Sequence, residues 1–342
     1  MKVSVIVPCY NEQATIRELL IALRDQDFPD QEMEVIIADG MSTDNTRMEI
    51  ARFKKEYPDF RVRVIDNPQR TIPSGLNKAL QTAWGKYIIR LDAHVSPVAG
   101  YVSRSVQALE QDLGENVGGV VRMRPGKDTW VGRSIAEAVS HPLGVGDARY
   151  RIGSEPRTVD TVPFGAYRRS LIDRIGNYDE GLLANEDYEF NVRVRQSGGR
   201  VWLDPAIEST YVARANLREL ARQYWRYGYW KLRMLTRYPE TFRWRQVSGF
   251  FVLSWLVLGA ASLWLPIARW LLLAEALIYG SALIYAGVSS AVKYREEAMV
   301  VGVPLAVSTM HFTWGAGFLW SAVGFAVEKT AQALGVQKEN EL

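Results

Sequence analysis

The stretch VSVIVPCYNE, residues 3–12, is a short apolar segment that ends in polar side chains. Helical patterns follow it and recur along the chain, one of them apolar at positions 16, 19, 20 and 23 and another covering SGLNKALQTAWG at 74–85. Segments with the same strand-like form are EVIIADG at 34–40, RVRVID at 61–66 and YIIRLDA at 87–93. This repeated alternation of strand and helix predicts an α/β fold with a mostly parallel sheet covered by helices.

Polar side chains follow three of these strands, at the point where each strand ends. Tyr10 and Glu12 follow the first strand, Asp39 follows the second, and Asp92 and His94 follow the fourth. Ligands of such sheets bind beyond the carboxyl ends of the strands, so the sequence predicts a binding site at this edge. The segment PCYNE has neither the glycine-rich turn of a dinucleotide fold nor a P-loop. The carboxylate of Asp39 could accept from a nucleotide, but ADGMSTDNT equally fits a turn and helix N-cap, and both interpretations stay open.

The pair Asp92 and His94 is a more specific signal than Asp39, because one residue separates two groups that bind metal ions. A carboxylate and an imidazole at one strand end can hold a divalent cation whose other positions take diphosphate oxygens and water. Such a cation neutralises a departing nucleotide diphosphate. The pair therefore predicts a metal site at the sheet edge.

The composition excludes several other classes of protein. The chain has 342 residues and a net charge of only +3, which does not indicate binding to nucleic acid. Its one cysteine, Cys9, cannot form an internal disulfide, and no Cys/His pattern of a zinc site is present, so a reducing compartment is expected. The apolar run at the N-terminus is too short and too interrupted for a signal peptide.

The apolar residues concentrate near the C-terminus. Residues 247–265 carry no charge and would reach roughly 28 Å as a helix, close to the thickness of a bilayer core. Residues 270–292 carry one charge, Glu275, and residues 298–327 carry none. We expect about three membrane helices within 247–328, followed by a polar tail at 329–342. Buried core helices are the alternative.

A basic and aromatic segment at residues 213–246 precedes these helices. Between residues 214 and 245 there are nine Lys or Arg against two Glu, with many Tyr and Trp between them. Arg214, Arg218, Arg222 and Arg226 recur every four residues and would form one stripe on a helix. The segment is expected to lie on the anionic cytoplasmic face of a membrane, with the large N-terminal part on the same side. A solvated charged helix face is the alternative.

Several of these motifs, taken in order, resemble a known family. VIVPCYNE, ADGMSTDNT, RLDAH, NED at 185–187 and RQYWRYGYW at 222–230 are similar to the motif series of family 2 inverting glycosyltransferases with the nucleotide-sugar GT-A fold. The longer stretches, among them VDTVPFGAYRRS and NEDYEFNVRVRQSGGRVWLDP, resemble membrane-associated bacterial glucosyltransferases of succinoglycan-type exopolysaccharide assembly. The resemblance covers residues 3–235. It implies a GT-A domain at 1–212 and a multi-pass protein of the bacterial inner membrane.

The resemblance implies a role for each matching residue. Pro8, Tyr10 and Glu12 would line the nucleoside pocket, and Asp39 would accept from the uracil. Asp92 and His94 would take the place of the metal-binding Asp-x-Asp with Mn²⁺ or Mg²⁺, although His94 departs from that pattern. The third motif has Leu76 where many relatives have Arg, so Arg70 or Lys78 would contact the diphosphate beside Asn77. Gln223, Arg226 and Tyr227 match the Gln-x-x-Arg-Trp motif, with Tyr in place of Trp.

Inversion at a sugar carbon also requires a general base. Glu186 and Asp187 are adjacent carboxylates at the start of a helical pattern, where helix-terminal charge alone would explain them. The resemblance makes Asp187 the base and Glu186 its supporting neighbour. It also suggests that Arg168 and Arg169 face an acceptor phosphate, with plain surface charge as the alternative.

The expected activity is transfer of a hexose, glucose by the resemblance, from a UDP-sugar to a polyprenyl-diphosphate-linked saccharide. Two alternatives belong to other classes of protein. A processive polysaccharide synthase would carry more membrane spans, and a non-catalytic membrane scaffold would tolerate loss of Asp92, His94 or Asp187.

Overall fold

The computed structural model describes residues 1–153, 155–243 and 246–333. The chain forms two compact units. The first contains residues 1–124 and 147–213, and the second contains residues 125–146 and the chain from residue 214 onward. Residues 125–146 fall inside the predicted domain 1–212, yet they group with the C-terminal helices.

The first unit is built on a mixed sheet of nine strands. Its strands are β1 Val3–Cys9, β2 Met33–Asp39, β3 Val62–Asp66, β4 Tyr87–Arg90, β5 Val95–Pro97, β6 Asn116–Arg124, β7 Arg157–Thr158, β8 Ala166–Arg168 and β9 Val201–Val212. The order is β3-β2-β1-β4-β8-β6-β9-β5, with β7 paired to β9. Strands β3, β2, β1 and β4 are parallel, as are β6 and β9. The predicted α/β class is confirmed. Five further strands are additions to the four predicted ones, namely the antiparallel β5, β7 and β8 and the parallel pair β6 and β9.

Helices cover both faces of this sheet. Those of the first unit are α1 Ile16–Arg24, α2 Thr46–Glu56, α3 Ile72–Thr82, α4 Tyr101–Glu110, α7 Arg149–Ile152, α8 Ser170–Ile175 and α9 Glu186–Gln196. Along β1, Val5 and Val7 pack with α1 while Ile6 packs on the other face with α3. Burial on both faces explains why the parallel strands are continuous apolar runs.

The pairing register brings the ends of the parallel strands together. Cys9 at the end of β1 pairs with Asp39 at the end of β2, and Ile6 of β1 pairs with Arg90 at the end of β4. Because these strands run in one direction, the segments that follow them lie at one edge of the sheet. That edge is where the sequence predicts the binding site.

The second unit consists of helices. They are α5 Trp130–Ala138, α6 Pro142–Val145, α10 Leu217–Arg237, α11 Ser248–Ala261, α12 Pro266–Tyr294 and α13 Met299–Ala333. Two of them, α12 and α13, are long and apolar enough to cross a membrane, by length and composition. Helix α11 has 14 residues and reaches only about 21 Å, so the span predicted over 247–265 is too short to cross a bilayer core. The predicted tail lies mostly outside the described residues, since α13 continues to Ala333 and residues 334–342 are not described.

Helix α10 packs closely on α13 within this unit. A Cβ on Gly228 would lie 2.0 Å from the carbonyl oxygen of Trp314, and a Cβ on Gly317 would lie 2.3 Å from the carbonyl oxygen of Trp225. These two glycines let the two backbones touch. Arg218 and Arg222 are exposed on α10, as the basic stripe predicts.

Candidate active site

Five of the predicted site residues lie together at the carboxyl edge of the parallel strands. Glu12 follows β1, Asp92 and His94 follow β4, and Glu186 and Asp187 open helix α9. The contacts described below join these residues into two connected groups, one centred on Arg90 and one on His94.

Arg90 is the centre of the first group, and the sequence motifs did not single it out. Its guanidinium is buried and contacts three carboxylates: Asp92 Oδ1 at 2.8 Å, Glu186 Oε1 at 2.9 Å and Asp187 Oδ2 at 3.4 Å. Burial works against the charged guanidinium, but the three carboxylates outweigh it and raise the pKa of Arg90 above its usual value. The sequence could indicate only the contact with Asp92, because residues two apart in an extended segment face the same side.

The two adjacent carboxylates of α9 differ in access to solvent. The side chain of Asp187 is 31% exposed, whereas that of Glu186 is 7% exposed. Burial raises the pKa of Glu186; the charge of Arg90 opposes this effect, and Asp187 and Asp92 add to it. Asp187 is therefore the carboxylate of this pair that a substrate can reach.

His94 is the centre of the second group. Its Nδ1 lies 2.8 Å from Glu12 Oε1, and its ring meets the ring of Tyr211 edge-on at 4.8 Å between centroids. Thr15 Oγ1 donates to the other oxygen of Glu12 at 2.6 Å. Burial disfavours the charged imidazolium, but the hydrogen bond to Glu12 and the neighbouring Tyr211 and Asp92 outweigh burial and raise the pKa of His94 to about 10.

Asp92 and His94 fit the predicted role of metal ligands. His94 Nε2 is buried without a hydrogen-bond partner, and within the described ranges Asp92 uses only Oδ1 in side-chain hydrogen bonds. Glu12 accepts from Nδ1–H, so a metal would bind at Nε2 and would displace the proton that this nitrogen carries while the pKa of His94 is near 10. Within the part of the chain that the structure describes, no group of three or more His, Cys, Asp or Glu is arranged to hold a metal. The remaining ligands would therefore come from a substrate and water.

The loop after β1 and the loop after β2 are joined by hydrogen bonds. Ser42 Oγ accepts from the Asn11 amide at 2.9 Å, and the Thr43 amide donates to Asn11 Oδ1 at 2.8 Å. Tyr10 is exposed, and the guanidinium of Arg70 lies 5.9 Å from the centroid of its ring. This exposed ring with a cation above it is suited to a nucleoside and its phosphates.

Asp39 is fully buried and anchors this pair of loops. Its carboxylate accepts from the Ser42 amide at 3.1 Å and from the Ser42 hydroxyl at 2.5 Å. Arg47 donates to Asp39 Oδ2 and, with its other end, to Asp66 Oδ1, both at 2.5 Å. The turn interpretation thus describes what Asp39 does within the chain, and contact with a nucleotide base remains a prediction.

Three further residues are predicted to contact the nucleotide-sugar donor. They are Pro8 near the end of β1, and Asn77 and Lys78 on α3. Pro8 is half-buried, and a Cβ on Gly75 would lie 3.4 Å from its Cβ. Asn77 is buried and uses its amide on the Tyr178 backbone, at 2.9 Å to both N and O, and on Glu180 Oε1 at 2.8 Å. Asn77 therefore fastens α3 to residues 178–180. Lys78 is half-buried, and its ammonium group has no hydrogen bond or ion pair with any residue that the structure describes.

Arg168 and Arg169 are not brought to this edge. Arg168 pairs with Tyr87 at the start of β4, whereas Arg90 ends that strand. Arg168 bonds Asp112 at 2.8 Å and the carbonyl of Leu109, and Arg169 bonds the carbonyls of Ala83 and Leu80. The expectation that they face an acceptor phosphate is corrected, because both side chains serve helix ends at the opposite edge of the sheet.

Gln223, Arg226 and Tyr227 lie on α10 in the second unit. Gln223 Nε2 donates to Tyr227 Oη at 2.9 Å, and Arg214 Nε donates to Gln223 Oε1 at 3.3 Å. The first and last residues of the motif thus share a helix face. Their predicted contact with a diphosphate or acceptor stays a prediction.

Arg151 is a cation of the first unit that the motifs did not reveal. Its guanidinium lies 5.7 Å from the centroid of the Tyr211 ring, which also touches His94. It contacts Met123 Sδ, and none of the carboxylates in the described residues pairs with it. This half-buried cation shares the Tyr211 ring with His94 and pairs with no carboxylate of the described residues, so it is available to an anionic substrate.

Comparisons with known proteins point to one family of enzymes. Residues 4–176 match the family model Glycosyl transferase family 2. The succinoglycan biosynthesis protein ExoA of Rhizobium meliloti is 29% identical over 316 residues, which cover 92% of this chain and 93% of that protein. The dolichyl N-acetyl-alpha-D-glucosaminyl phosphate 3-beta-D-2,3-diacetamido-2,3-dideoxy-beta-D-glucuronosyltransferase of Methanococcus voltae is 25% identical over 261 residues, which cover 74% and 77%.

Among solved structures, the mannosyltransferase PcManGT of Pyrobaculum calidifontis, in complex with GDP-Man and Mn²⁺, superposes with a TM-score of 0.60. The two are 21% identical, and the match covers 90% of this chain and 86% of that one, so the fold is shared. The predicted GT-A fold is confirmed. Since the family model matches half of the chain, the protein belongs to glycosyl transferase family 2.

Proposed function

We propose that this glycosyltransferase moves a hexose, glucose in the first instance, from a UDP-sugar to a polyprenyl-diphosphate-linked saccharide, with inversion at the anomeric carbon. The observation that carries the proposal is the convergence of Asp92 and Asp187 on Arg90 at the carboxyl edge of the sheet. Asp92, which is suited to hold a metal, and Asp187, the accessible base, thus both contact the guanidinium of Arg90.

The donor side is formed by the loops after β1 and β2. Tyr10 offers an exposed ring to the nucleoside, and Arg70 and Lys78 are cations available to its diphosphate. Gln223, Arg226 and Tyr227 of α10 are further proposed contacts. The complex of PcManGT with GDP-Man and Mn²⁺ supports a nucleotide-sugar donor and a divalent cation. The choice of UDP rests on the succinoglycan-type resemblance.

Asp92 and His94 would hold the cation, Mn²⁺ or Mg²⁺. When bound, it supplies positive charge that stabilises the departing diphosphate. Asp187 takes the proton from the acceptor hydroxyl as that oxygen attacks the anomeric carbon. Attack from the face opposite the leaving nucleotide, in one displacement, inverts the configuration. Glu186 supports the base through Arg90, which both carboxylates contact.

Features of the second unit and the names of the relatives support the proposed acceptor class. Helices α12 and α13 are long enough to cross a bilayer, and α10 presents exposed arginines before them. The names of the two curated relatives refer to succinoglycan biosynthesis and to a dolichyl-phosphate sugar. We place the enzyme in the bacterial inner membrane, with the first unit cytoplasmic, in exopolysaccharide assembly.

The test uses the full-length protein in detergent with Mn²⁺, a panel of UDP-sugars and a polyprenyl-diphosphate-hexose acceptor. The expected result is UDP release from one donor and an acceptor longer by a single sugar, measured by mass spectrometry. Chelation with EDTA should stop the reaction, and added Mn²⁺ or Mg²⁺ should restore it. A ladder of products would instead indicate a processive synthase, and absence of UDP release with every donor would indicate a scaffold.

A further inference from the structure

Arg90 holds together two parts of the site that are far apart in the sequence. Its Nη2 donates to Asp92, two residues away, and to Glu186, which lies 96 residues away; its Nη1 donates to Asp187. The first carboxylate follows the end of β4, and the other two lie at the start of α9. One planar guanidinium therefore fixes the position of a strand end relative to a helix start.

The charges around Arg90 show why a single cation matters there. Three carboxylates meet one guanidinium whose side chain is 4% exposed, so bulk water does little to separate their charges. Without Arg90, Asp92 and Asp187 would repel each other and move apart. Removing one partner from a buried ionic network is far more disruptive than removing an exposed ion pair.

The plane of the Arg90 guanidinium is itself held in place by Phe164. The guanidinium lies 5.3 Å from the centroid of the Phe164 ring. Phe164 has a φ of +52°, a left-handed conformation that a bulky residue rarely adopts, and its carbonyl accepts from Tyr101 Oη at 2.7 Å. Such backbone strain persists only where the surroundings fix it.

The same ring connects Arg90 to the metal-binding histidine. Phe164 stacks on Tyr211 at 6.4 Å between centroids, and Tyr211 meets His94 at 4.8 Å. The two proposed metal ligands thus lie at the two ends of one series of contacts. Asp92 is held by Arg90 directly, and His94 is held through Phe164 and Tyr211.

We propose that Arg90 is a positioning residue that sets the separation between the metal-binding carboxylate Asp92 and the base Asp187. This inference rests on the proposed function. A lysine would keep the charge but has no planar fork with which to bond three carboxylates at once. Displacement of reacting groups by about 1 Å can lower a rate by about 10²-fold.

The test compares Arg90→Lys with Arg63→Lys in the full-length protein. Arg63 is a matched control, because it also pairs with a buried carboxylate, Glu34 at 3.1 Å, but on β3 away from the site. For Arg90→Lys we expect kcat to fall about 10²-fold and Mn²⁺ to bind about tenfold more weakly to the UDP-bound protein in calorimetry. Arg63→Lys should keep wild-type kcat and Mn²⁺ affinity. Wild-type values for Arg90→Lys in both measurements would overturn the proposal.

A second comparison asks whether Arg90 acts through Asp187. In an Asp187→Asn background, Arg90→Lys should lower the residual kcat by much less than 10²-fold, because the base it positions is already absent. Equal losses in both backgrounds would overturn the link to Asp187. If circular dichroism shows that Arg90→Lys does not fold, Phe164→Leu replaces it as the test. This substitution keeps the charge of Arg90 and removes the ring that orients its guanidinium, so kcat should fall. A wild-type kcat would refute the positioning role.

The binding measurement separates this inference from the proposed function. Calorimetry with Mn²⁺ and UDP needs neither acceptor nor turnover. If the wild-type protein transferred no sugar, the proposed function would fail, whereas loss of Mn²⁺ affinity in Arg90→Lys would still support the positioning of Asp92 by Arg90.

Discussion

Glu12 Oε1 lies 2.8 Å from His94 Nδ1, so the carboxylate that follows β1 touches the imidazole that follows β4. The sequence motifs place Glu12 in the nucleoside pocket. That role stays a prediction, and the structure gives Glu12 a direct contact with one of the two proposed metal ligands. The contact occupies Nδ1, so the nitrogen left for a metal is Nε2, which is buried and has no hydrogen-bond partner among the described residues.

Glu12→Gln is therefore expected to weaken metal binding. It keeps the shape of the side chain and removes the charge that makes the imidazole a stronger ligand; changes of this kind typically lower metal affinity about 10–100-fold. The measurement is calorimetry of Mn²⁺ with the UDP-bound protein. Glu18→Gln is the control, because Glu18 is on the next helix and pairs with Arg124 on the surface. Unchanged Mn²⁺ affinity in Glu12→Gln would show that the contact is structural only.

Asp187→Asn should separate chemistry from binding. It removes the proton acceptor and keeps the shape, so kcat is expected to fall about 10²–10⁴-fold. UDP affinity, measured with Mn²⁺ present, should change little, because the proposed nucleotide contacts lie in the loops after β1 and β2. Asp173→Asn on α8, an exposed position, is the control. Near-normal turnover of Asp187→Asn would move the role of base to Glu186.

The four parallel strands β1 to β4 were predictable because their signals are local. Each strand is a short apolar run followed by polar residues, and the helices between them have clear apolar faces. The antiparallel strands β5, β7 and β8 have only two or three residues each, so they leave no periodicity to read. The short helix α11 was mistaken for a complete span, because apolar composition alone does not show where a helix ends.

The site residues divide in the same way. Asp92, His94 and Asp187 stand in recognisable local motifs, whereas Arg90 acquires its role from partners 96 and 97 residues away. The sequence did not show at which edge of the sheet Arg168 and Arg169 lie, because a pair of arginines has the same pattern at either edge. Only the antiparallel register of β8 on β4 shows which edge they occupy.

Asp39→Asn should weaken UDP and also lower thermal stability. Asp39 is the buried anchor of the loops beside Tyr10, through Ser42 and Arg47, and hydrogen bonds to a charged group are worth about 1.5–3 kcal/mol. We expect UDP affinity to fall by about tenfold or more, measured by calorimetry. Asp66→Asn is the control, because it removes the exposed partner of Arg47 and leaves Asp39 in place. Equal effects of the two substitutions would assign the loss to Arg47.

Arg151→Gln should reduce the preference for a charged acceptor. The guanidinium lies against Tyr211 with no carboxylate partner in the described residues, so an acceptor diphosphate can pair with it. We expect the ratio of kcat/KM for the polyprenyl-diphosphate acceptor over an alkyl glycoside to fall about tenfold, as for one lost charged hydrogen bond. The control is Arg149→Gln, an exposed neighbour on the same short helix. An unchanged ratio would mean that Arg151 does not meet the acceptor phosphate.

The last prediction concerns the packing of α10 on α13. In an exposed helix, Gly→Ala normally stabilises, by roughly 0.5–1 kcal/mol. At Gly228 the added methyl group would lie 2.0 Å from the carbonyl oxygen of Trp314, so the helices must separate, and overpacking of this kind costs about 1–3 kcal/mol. Gly228→Ala should therefore lower the melting temperature of the detergent-solubilised protein. Gly259→Ala on α11, where a Cβ meets nothing within 4 Å, should leave it equal or higher. If both substitutions raise the melting temperature, α10 does not lie against α13 at Gly228 in the folded protein.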